Sequence, residues 1–329
     1  MAHPQDSSEF SFDLYPGLDA ELEAAYARNL GQNDPSADVA HSGLAAVVSS
    51  NLQQSQPNHL PAMAEKVHEW AGPQLKEGLS TWHNYNDLLS HWTPPNPEHL
   101  AARNPNFATT MARLYEAHQG LLMSSETNPE GMNIGETMHL VLVPWGEFKA
   151  HLPNLQEFVN ELRAKQGLAT NTQDYLNDHI LNAVQQNTPF YRDPDTNRTG
   201  LLTATEYLDR KISQDGDWGI MLVQDSKEAG IDRLKGQSPN ELTRDGQIHL
   251  VNSGSFIDNM GIFEWLSLTL QKDPRELSPS DYSWMLANRI DVDGVPCVPR
   301  GDFRGGQVRS RLGGAGNDDS ALRPRLAVM

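Results

Sequence analysis

The sequence predicts a mixed α+β protein: an α-helical N-terminal module followed by a domain of short strands and helices. Three observations lead there. Residues 18 to 122 carry apolar residues at helical spacing between Pro, Asn and Gly breaks. Beyond the polar, Gly-containing joint Ser124–Glu136, short β-rich runs such as Met138–Trp145 (MHLVLVPW) take over. The chain then ends in a Gly- and Arg-rich stretch, about Pro299 to Arg325, that still carries recurrent Val and Leu. With 329 residues the chain exceeds a typical domain of roughly 100 to 200, so two domains are expected. The predicted division is an extended arm over 1–17, a helical module over 18–130 and a second domain over 131–329.

In chain order, Leu18–Leu30 and Ser42–Leu52 carry Ala and Leu at helical spacing, and a helix opening at Pro61 places Met63, Val67 and Trp70 on one face. Trp82, Tyr85, Leu89 and Trp92 share a face in the next predicted helix, and Met111, Leu114, Tyr115 and Leu122 in the one after. Past the joint, Met138–Trp145 reads as a strand. Pro153 opens a helix with Leu155, Phe158, Val159 and Leu162 at helical spacing. A helix is expected over Thr172–Gln186, strands over Leu201–Tyr207 and Trp218–Gln224, and either state over Phe263–Gln271. Asp293-Gly294 is a hairpin-type turn, and Arg325–Val328 fits a closing strand. No internal repeat is found.

Composition narrows the function classes. A formal charge of −18 and a pI near 5.0 argue against general nucleic-acid binding, which needs an excess of Lys and Arg facing the phosphates. Cys297 is the only cysteine, which leaves no internal disulfide and no Cys-based zinc site and fits a reducing compartment. The N-terminus has neither a basic nor an apolar signal region, and no run approaches the roughly 20 apolar residues of a membrane span. A cytoplasmic location without membrane insertion is therefore expected, with surface or phage-associated placement left open.

Catalytic and metal motifs are weak. The nucleophile elbow, the P-loop, a dinucleotide fingerprint and H-E-x-x-H are all missing from the sequence. Five histidines between His59 and His99 include no i,i+4 pair, so packing roles are expected rather than metal ligation. Asp193-Pro-Asp195-Thr-Asn197-Arg-Thr199 starts like a calcium loop, but Arg198 stands where glycine belongs and Ala204 where the bidentate glutamate belongs. Only a two-residue insertion would bring Gly200 and Glu206 into those roles, and a plain Asp/Asn/Pro turn fits better. No cofactor, no metal and no enzymatic activity are expected.

The most informative residues lie from Phe256 onward. Asp258-Asn-Met-Gly261-Ile-Phe-Glu264-Trp265 joins a turn glycine, an acid and a large aromatic at the start of an apolar segment. Its reading is structural: a buried Trp anchoring a core, with Glu264 as a hydrogen-bond acceptor. Past it, the last lysine is Lys272, the last glutamate Glu276 and the last tryptophan Trp284. Beyond Asn288 the only glutamine is Gln307 and the only methionine Met329. Asparagine codons randomised at their adenines would give NNY codons, which encode the remaining types but never Lys, Glu, Gln, Met or Trp, provided Gln307 is a fixed position. A disordered Gly/Arg tail is the competing reading, against which Val308, Leu312, Leu322, Leu326 and Val328 recur.

These residues resemble the formylglycine-generating-enzyme-like branch of the C-type lectin fold. Asp258, Gly261, Glu264 and Trp265 match its D-M-x-G-N-V-x-E-W segment with one residue fewer between Gly and Glu. Ala321-Leu322-Arg323-Pro324 resembles its G-F-R-P ending. Either Arg300-Gly301 or Arg304-Gly305-Gly306 stands for its R-G-G-x-W element, neither followed by Trp. The likeness spans roughly residues 138 to 329, with its motifs only from Asp258. Catalytic members use two cysteines, so oxidase activity is not carried over.

With the NNY-compatible alphabet, the chain is similar to variable proteins of diversity-generating retroelements, which display a hypervariable ligand-binding surface on this scaffold. The resemblance implies a variable region of about 299–325. Its candidate ligand-binding residues are Asp302, Phe303, Arg304, Arg309, Arg311, Asn317, Asp318, Asp319 and Ser320, with Arg323 and Pro324 as scaffold. The implied partner is a protein or surface ligand that the sequence does not name, and the sequence gives no oligomeric state. The alternatives are an enzyme of the same fold and an assembly protein acting through the helical module.

Overall fold

A helix can cross a proline if its buried face stays continuous, and α1 (Leu60–His83) does so at Pro73. Val67, Ala71, Leu75, Leu79 and Trp82 form an unbroken buried stripe along it. The separate helix expected around Trp82 is therefore the end of α1, which turns out at Tyr85, also buried. The computed structural model describes residues 60–85, 100, 104, 106–167, 176–192, 200–226, 230–234, 237–242, 248–249, 256–272, 282–304, 307–316, 322–324 and 326–328. The predicted arm over 1–17 and the helices over 18–30 and 42–52 lie outside these residues, as do Leu89 and Trp92.

Helix α2 (Phe107–Leu122) buries Phe107, Met111, Leu114 and Leu121, while Leu122, expected on that face, is 37% exposed. Trp70 of α1 meets Tyr115 edge-on and stacks on His118 of α2, at centroid distances of 5.5 and 5.2 Å. After a short 3-10 turn (Ile134–Thr137), β1 (Met138–Val143) pairs antiparallel with β4 (Gly219–Gln224), Met138 opposite Gln224 and Val143 opposite Gly219. The predicted strand ends earlier than its apolar run, because Pro144 caps α3 (Trp145–Ala150). A 3-10 turn at Leu152–Asn154 then leads into α4 (Leu155–Lys165), whose Leu155, Phe158, Val159 and Leu162 are buried, as their spacing predicts.

Helix α5 (Asp178–Gln185) is shorter than the Thr172–Gln186 expected. Asn177 caps it, its Oδ1 accepting from His179 N at 3.0 Å, and a residue used as a cap is not itself helical. Two-residue strands β2 (Tyr191–Arg192) and β3 (Leu201–Leu202) pair with each other. Leu201–Tyr207 is thus a strand for two residues only. Thr203 and Glu206 form a reciprocal capping box that starts α6 (Ala204–Asp215), with Glu206 N to Thr203 Oγ1 at 3.2 Å and Thr203 N to Glu206 Oε2 at 2.8 Å. The carboxylate of Glu206 is thereby committed to a cap rather than to a calcium loop; residues 193–199 lie outside the described residues. Thr203→Ala is expected to cost about 1 kcal/mol, read by urea unfolding, through loss of that cap.

The remaining elements are α7 (Pro239–Leu242), β5 (Ile248–His249), β6 (Phe256–Asn259), α8 (Ile262–Gln271), β7 (Tyr282–Trp284), β8 (Ile290–Val292), β9 (Val295–Arg304), β10 (Gln307–Gly314), β11 (Leu322–Pro324) and β12 (Leu326–Val328). Among the described residues they form two larger sheets and the β2–β3 pair. The first sheet has the order β1-β4-β12-β6-β5, so the last strand of the chain lies in the middle of it. Ala327 faces Val223 on one side and Asp258 on the other, both antiparallel, and the strand's Leu326 and Ala327 are fully buried. The second sheet has the order β10-β9-β7-β11, with β8 also on β9.

An edge strand left bare invites pairing with another chain. Two glutamines cover the outer edge of β1: Gln74 of α1 accepts from Leu140 N at 2.8 Å, and Gln271 of α8 accepts from Leu142 N at 3.0 Å and donates to Leu142 O at 2.6 Å. Helices α1 and α2 on one side of the Ser124–Glu136 joint share one buried cluster with both sheets on the other. The protein is α+β, and among the described residues no helix is long and apolar enough to cross a membrane.

Candidate functional site

The C-terminal stretch is organised from α8 outward. This helix is mostly apolar, and each residue from Ile262 to Leu270 is buried, the hydroxyls of Ser267 and Thr269 donating to the helix's own carbonyls. Its start carries the Asp258–Trp265 segment, and the unpaired donors of its first turn meet side chains from three directions. Gly261 N donates to Glu264 Oε2 at 3.1 Å, Ile262 N to Asn288 Oδ1 at 2.8 Å and Phe263 N to Tyr191 Oη at 3.0 Å. Tyr207 Oη donates to the other oxygen of Glu264. The Tyr191 and Tyr207 rings stack at 3.9 Å, which ties β2 and α6 to the same point.

Glu264 is fully buried, and that burial raises its pKa above 4.5, against the opposing pull of Lys211 and of the hydrogen bonds from Tyr207 and Gly261. A raised folded-state value in an acid means a stability contribution that is full below the ordinary pKa and is lost as pH rises through the folded one. Glu264→Gln keeps an oxygen for Gly261 N and an amide toward the Tyr207 hydroxyl, which can turn to accept. The variant is therefore expected to gain stability relative to the native chain as pH rises from about 4.5 toward neutrality, measured by paired urea unfolding across that range. A constant difference would contradict a raised pKa.

The expected turn at Asp293-Gly294 joins β8 to β9, with both residues at positive φ (52° and 81°), as a tight two-residue hairpin loop demands. Strand β9 then pairs along its length with β10: Arg304 opposite Gln307, Asp302 opposite Arg309, Gly301 opposite Ser310, Arg300 opposite Arg311 and Val298 opposite Gly313. The stretch read as a possible disordered tail is thus a ribbon of two long strands over most of its length.

Two glycines seat this ribbon on tryptophans. A Cβ at Gly301 would stand 2.2 Å from both Cε2 and Nε1 of Trp265, and one at Gly313 would stand 2.6 Å from Cη2 of Trp284. Gly301 pairs with Ser310, three residues from Gly313, so strand alternation puts the two seats on opposite faces of the ribbon. Trp265 closes against one face and Trp284 against the other. Gly313 is a packing position for this reason. Gly301 also lies against a tryptophan that follows Gly261 in sequence, not one that follows Arg300-Gly301.

Beyond these seats the ribbon borders a cavity of about 520 Å³. Arg300, Arg309 and Arg311 line it from the ribbon, and Asn177, Asp178 and His179 from the start of α5. Ser310 Oγ, accepting from Asn177 N at 2.9 Å, pins the two walls together. Of the residues proposed from sequence, Arg309 and Arg311 come together at this cavity. Asp302 and Arg304 hold register positions on the same face as those two, whereas Phe303 holds a position on the other. Asn317, Asp318, Asp319 and Ser320 lie outside the described residues.

Sequence reasoning missed Arg300 and the start of α5. In the sequence Arg300 reads as half of a motif rather than as a site residue. Asn177-Asp178 is a recognisable cap pair, but nothing local says which strand it will face. Cys297 also lies at the cavity, where burial and the neighbouring Asp291 push its thiol pKa up, away from the nucleophilic thiolate. Among the described residues no three His, Cys, Asp or Glu side chains are placed to share a metal ion.

Fold and site together define an α+β protein whose C-terminal β-ribbon is clamped between two tryptophans and bears arginines at an open cavity. Comparisons with protein-family models, with curated proteins and with solved structures return no match.

Proposed function

We propose that this chain is a ligand-binding protein of the diversity-generating-retroelement type, displaying an exchangeable recognition surface on a C-type-lectin-like scaffold. The observation that carries the reading is a division of labour in the ribbon. Gly301 and Gly313 are fixed by the tryptophans beneath them, while Arg309 and Arg311, in the stretch with the NNY-compatible alphabet, border a cavity. A scaffold that tolerates exchange of surface side chains needs this separation, because core packing is sensitive to single methylenes whereas a cavity rim is not. The central position of the closing strand β12 and the burial of Glu264 and Trp265 support the lectin-like part. The raised thiol pKa of Cys297 favours binding over thiol chemistry.

The test is in the neighbouring DNA. A near-copy of the codons for residues about 290 to 328, differing at adenines and lying beside a reverse transcriptase gene, is the expected finding. Its absence, together with invariance of these codons among close relatives, would overturn diversification.

A further inference from the structure

We infer that Glu77, His139, Asp225 and Lys272 form an acid-sensitive clasp that holds α1 over the outer edge of β1.

The four side chains come from α1, β1 and the ends of β4 and α8, and they close a ring. Lys272, the cap at the end of α8, places Nζ 3.0 Å from Glu77 of α1 and 3.4 Å from Asp225, the residue after β4. His139 of β1 completes the ring, with Nε2 3.5 Å from the other oxygen of Glu77 and Nδ1 3.8 Å from the Asp225 carboxylate. Asp225 is itself fixed, its N–H donating to Thr137 O at 3.0 Å. The site is mostly closed to water, the side chains of His139 and Lys272 being 19% and 15% exposed. The elements packed on β1 are α1, β4 and α8, and Glu77, Asp225 and Lys272 are the charged groups from them that act on the imidazole.

The clasp stands beside the cover of that edge. Glu77 lies close to one helical turn after Gln74, and Lys272 directly follows Gln271. These are the two glutamines that accept from Leu140 N and Leu142 N. The buried stripe from Val67 to Trp82 keeps α1 on the core independently of the clasp. What the clasp governs is therefore local opening of the edge and not release of the helix. An open strand edge is a template for pairing with another chain.

Acid weakens the clasp in two steps of the same sign. Burial, and then the Lys272 charge, push the His139 imidazole below 6.5, against the pull of Asp225 and Glu77. Lys272 already serves both carboxylates, so a proton on the imidazole adds a second cation to a half-closed site. This contribution is full above 6.5 and is lost as pH falls from there through the folded value. Burial pulls the Glu77 carboxyl up, but the hydrogen bond and charge of Lys272, together with His139, hold it below 4.5. That second contribution is full above 4.5 and is lost at lower pH still.

Amide exchange of the full-length chain reads the opening at Leu140 and Leu142. Corrected for the intrinsic pH dependence of exchange, their protection should fall by at least about three-fold from about pH 7.5 to about pH 5.5. His139→Gln, which keeps a polar side chain without a titrating group, should remove that fall. His118, which burial also pushes down, and Glu264 are present in both chains and cancel in the comparison. NMR of the imidazole gives a readout independent of opening: His139 should titrate below 6.5, and Lys272→Met should raise its midpoint. A native midpoint at or above 6.5, no rise in Lys272→Met, or an equal loss of protection in native and His139→Gln chains would overturn the inference.

Discussion

Trp284→Ala is expected to destabilise the protein by about 3–5 kcal/mol, the range for removing a large aromatic from a closed core. The indole is fully buried and sits where three strands meet. Its own residue pairs with Arg300 of β9 and with Pro324 of β11, and its ring fills the space under Gly313 of β10. Truncation leaves a void that none of these strands can close without leaving its register. Urea unfolding should show a lower midpoint with an unchanged slope. Trp284→Phe, which keeps a ring under Gly313, should cost markedly less. A Trp284→Ala cost below about 1 kcal/mol, the level of a modest surface effect, would mean that the ribbon is not seated on this side chain.

Gly301→Ala has the second largest expected effect, and by the opposite mechanism. The added methyl would lie 2.2 Å from two atoms of the Trp265 ring, so either the ring or the strand must move. Trp265 is only 4% exposed and belongs to the buried run Ile262–Leu270 of α8, which leaves the strand. Overpacking of this kind costs about 1–3 kcal/mol and occasionally more. Gly316→Ala provides the control, because its Cβ would meet nothing within 4 Å and its φ is not left-handed. It should change stability by no more than about 0.5 kcal/mol. Similar costs at the two positions would show that the penalty comes from strand or turn conformation and not from the tryptophan.

Much of this arrangement was legible in the sequence, and the reasons are specific. The Gly261–Trp265 segment read correctly as structural because an acid followed directly by tryptophan within an apolar run is one of few patterns that need a buried acceptor beside a large ring. Asp293-Gly294 read correctly because positive φ at two successive positions restricts residue choice severely. The strand expected over Leu201–Tyr207 failed because the apolar residues there fit either period, and the Thr203–Glu206 cap decided for the helix. The break expected before Trp82 failed because Pro73 was outweighed by a buried stripe that runs through it.

The site was legible only in part. Composition singled out the Pro299–Arg325 stretch, and of its candidate residues Arg309 and Arg311 border the same cavity. Which glycines carry tryptophans, and that α5 forms the other wall of the cavity, depend on contacts between residues far apart in sequence, up to the 133 positions that separate Asn177 from Ser310, a relation that no local pattern encodes.

The account stands on the claim that the ribbon is divided into fixed and exchangeable positions. The direct measurement is to randomise codons 301, 302, 304, 309, 311 and 313 together, select for folded protein by protease resistance, and sequence the survivors. Positions 302, 304, 309 and 311 should accept nearly the whole amino-acid alphabet, while 301 and 313 return to glycine. Glycine retained at neither seat, or restriction as strong at 309 and 311 as at 301 and 313, would contradict it.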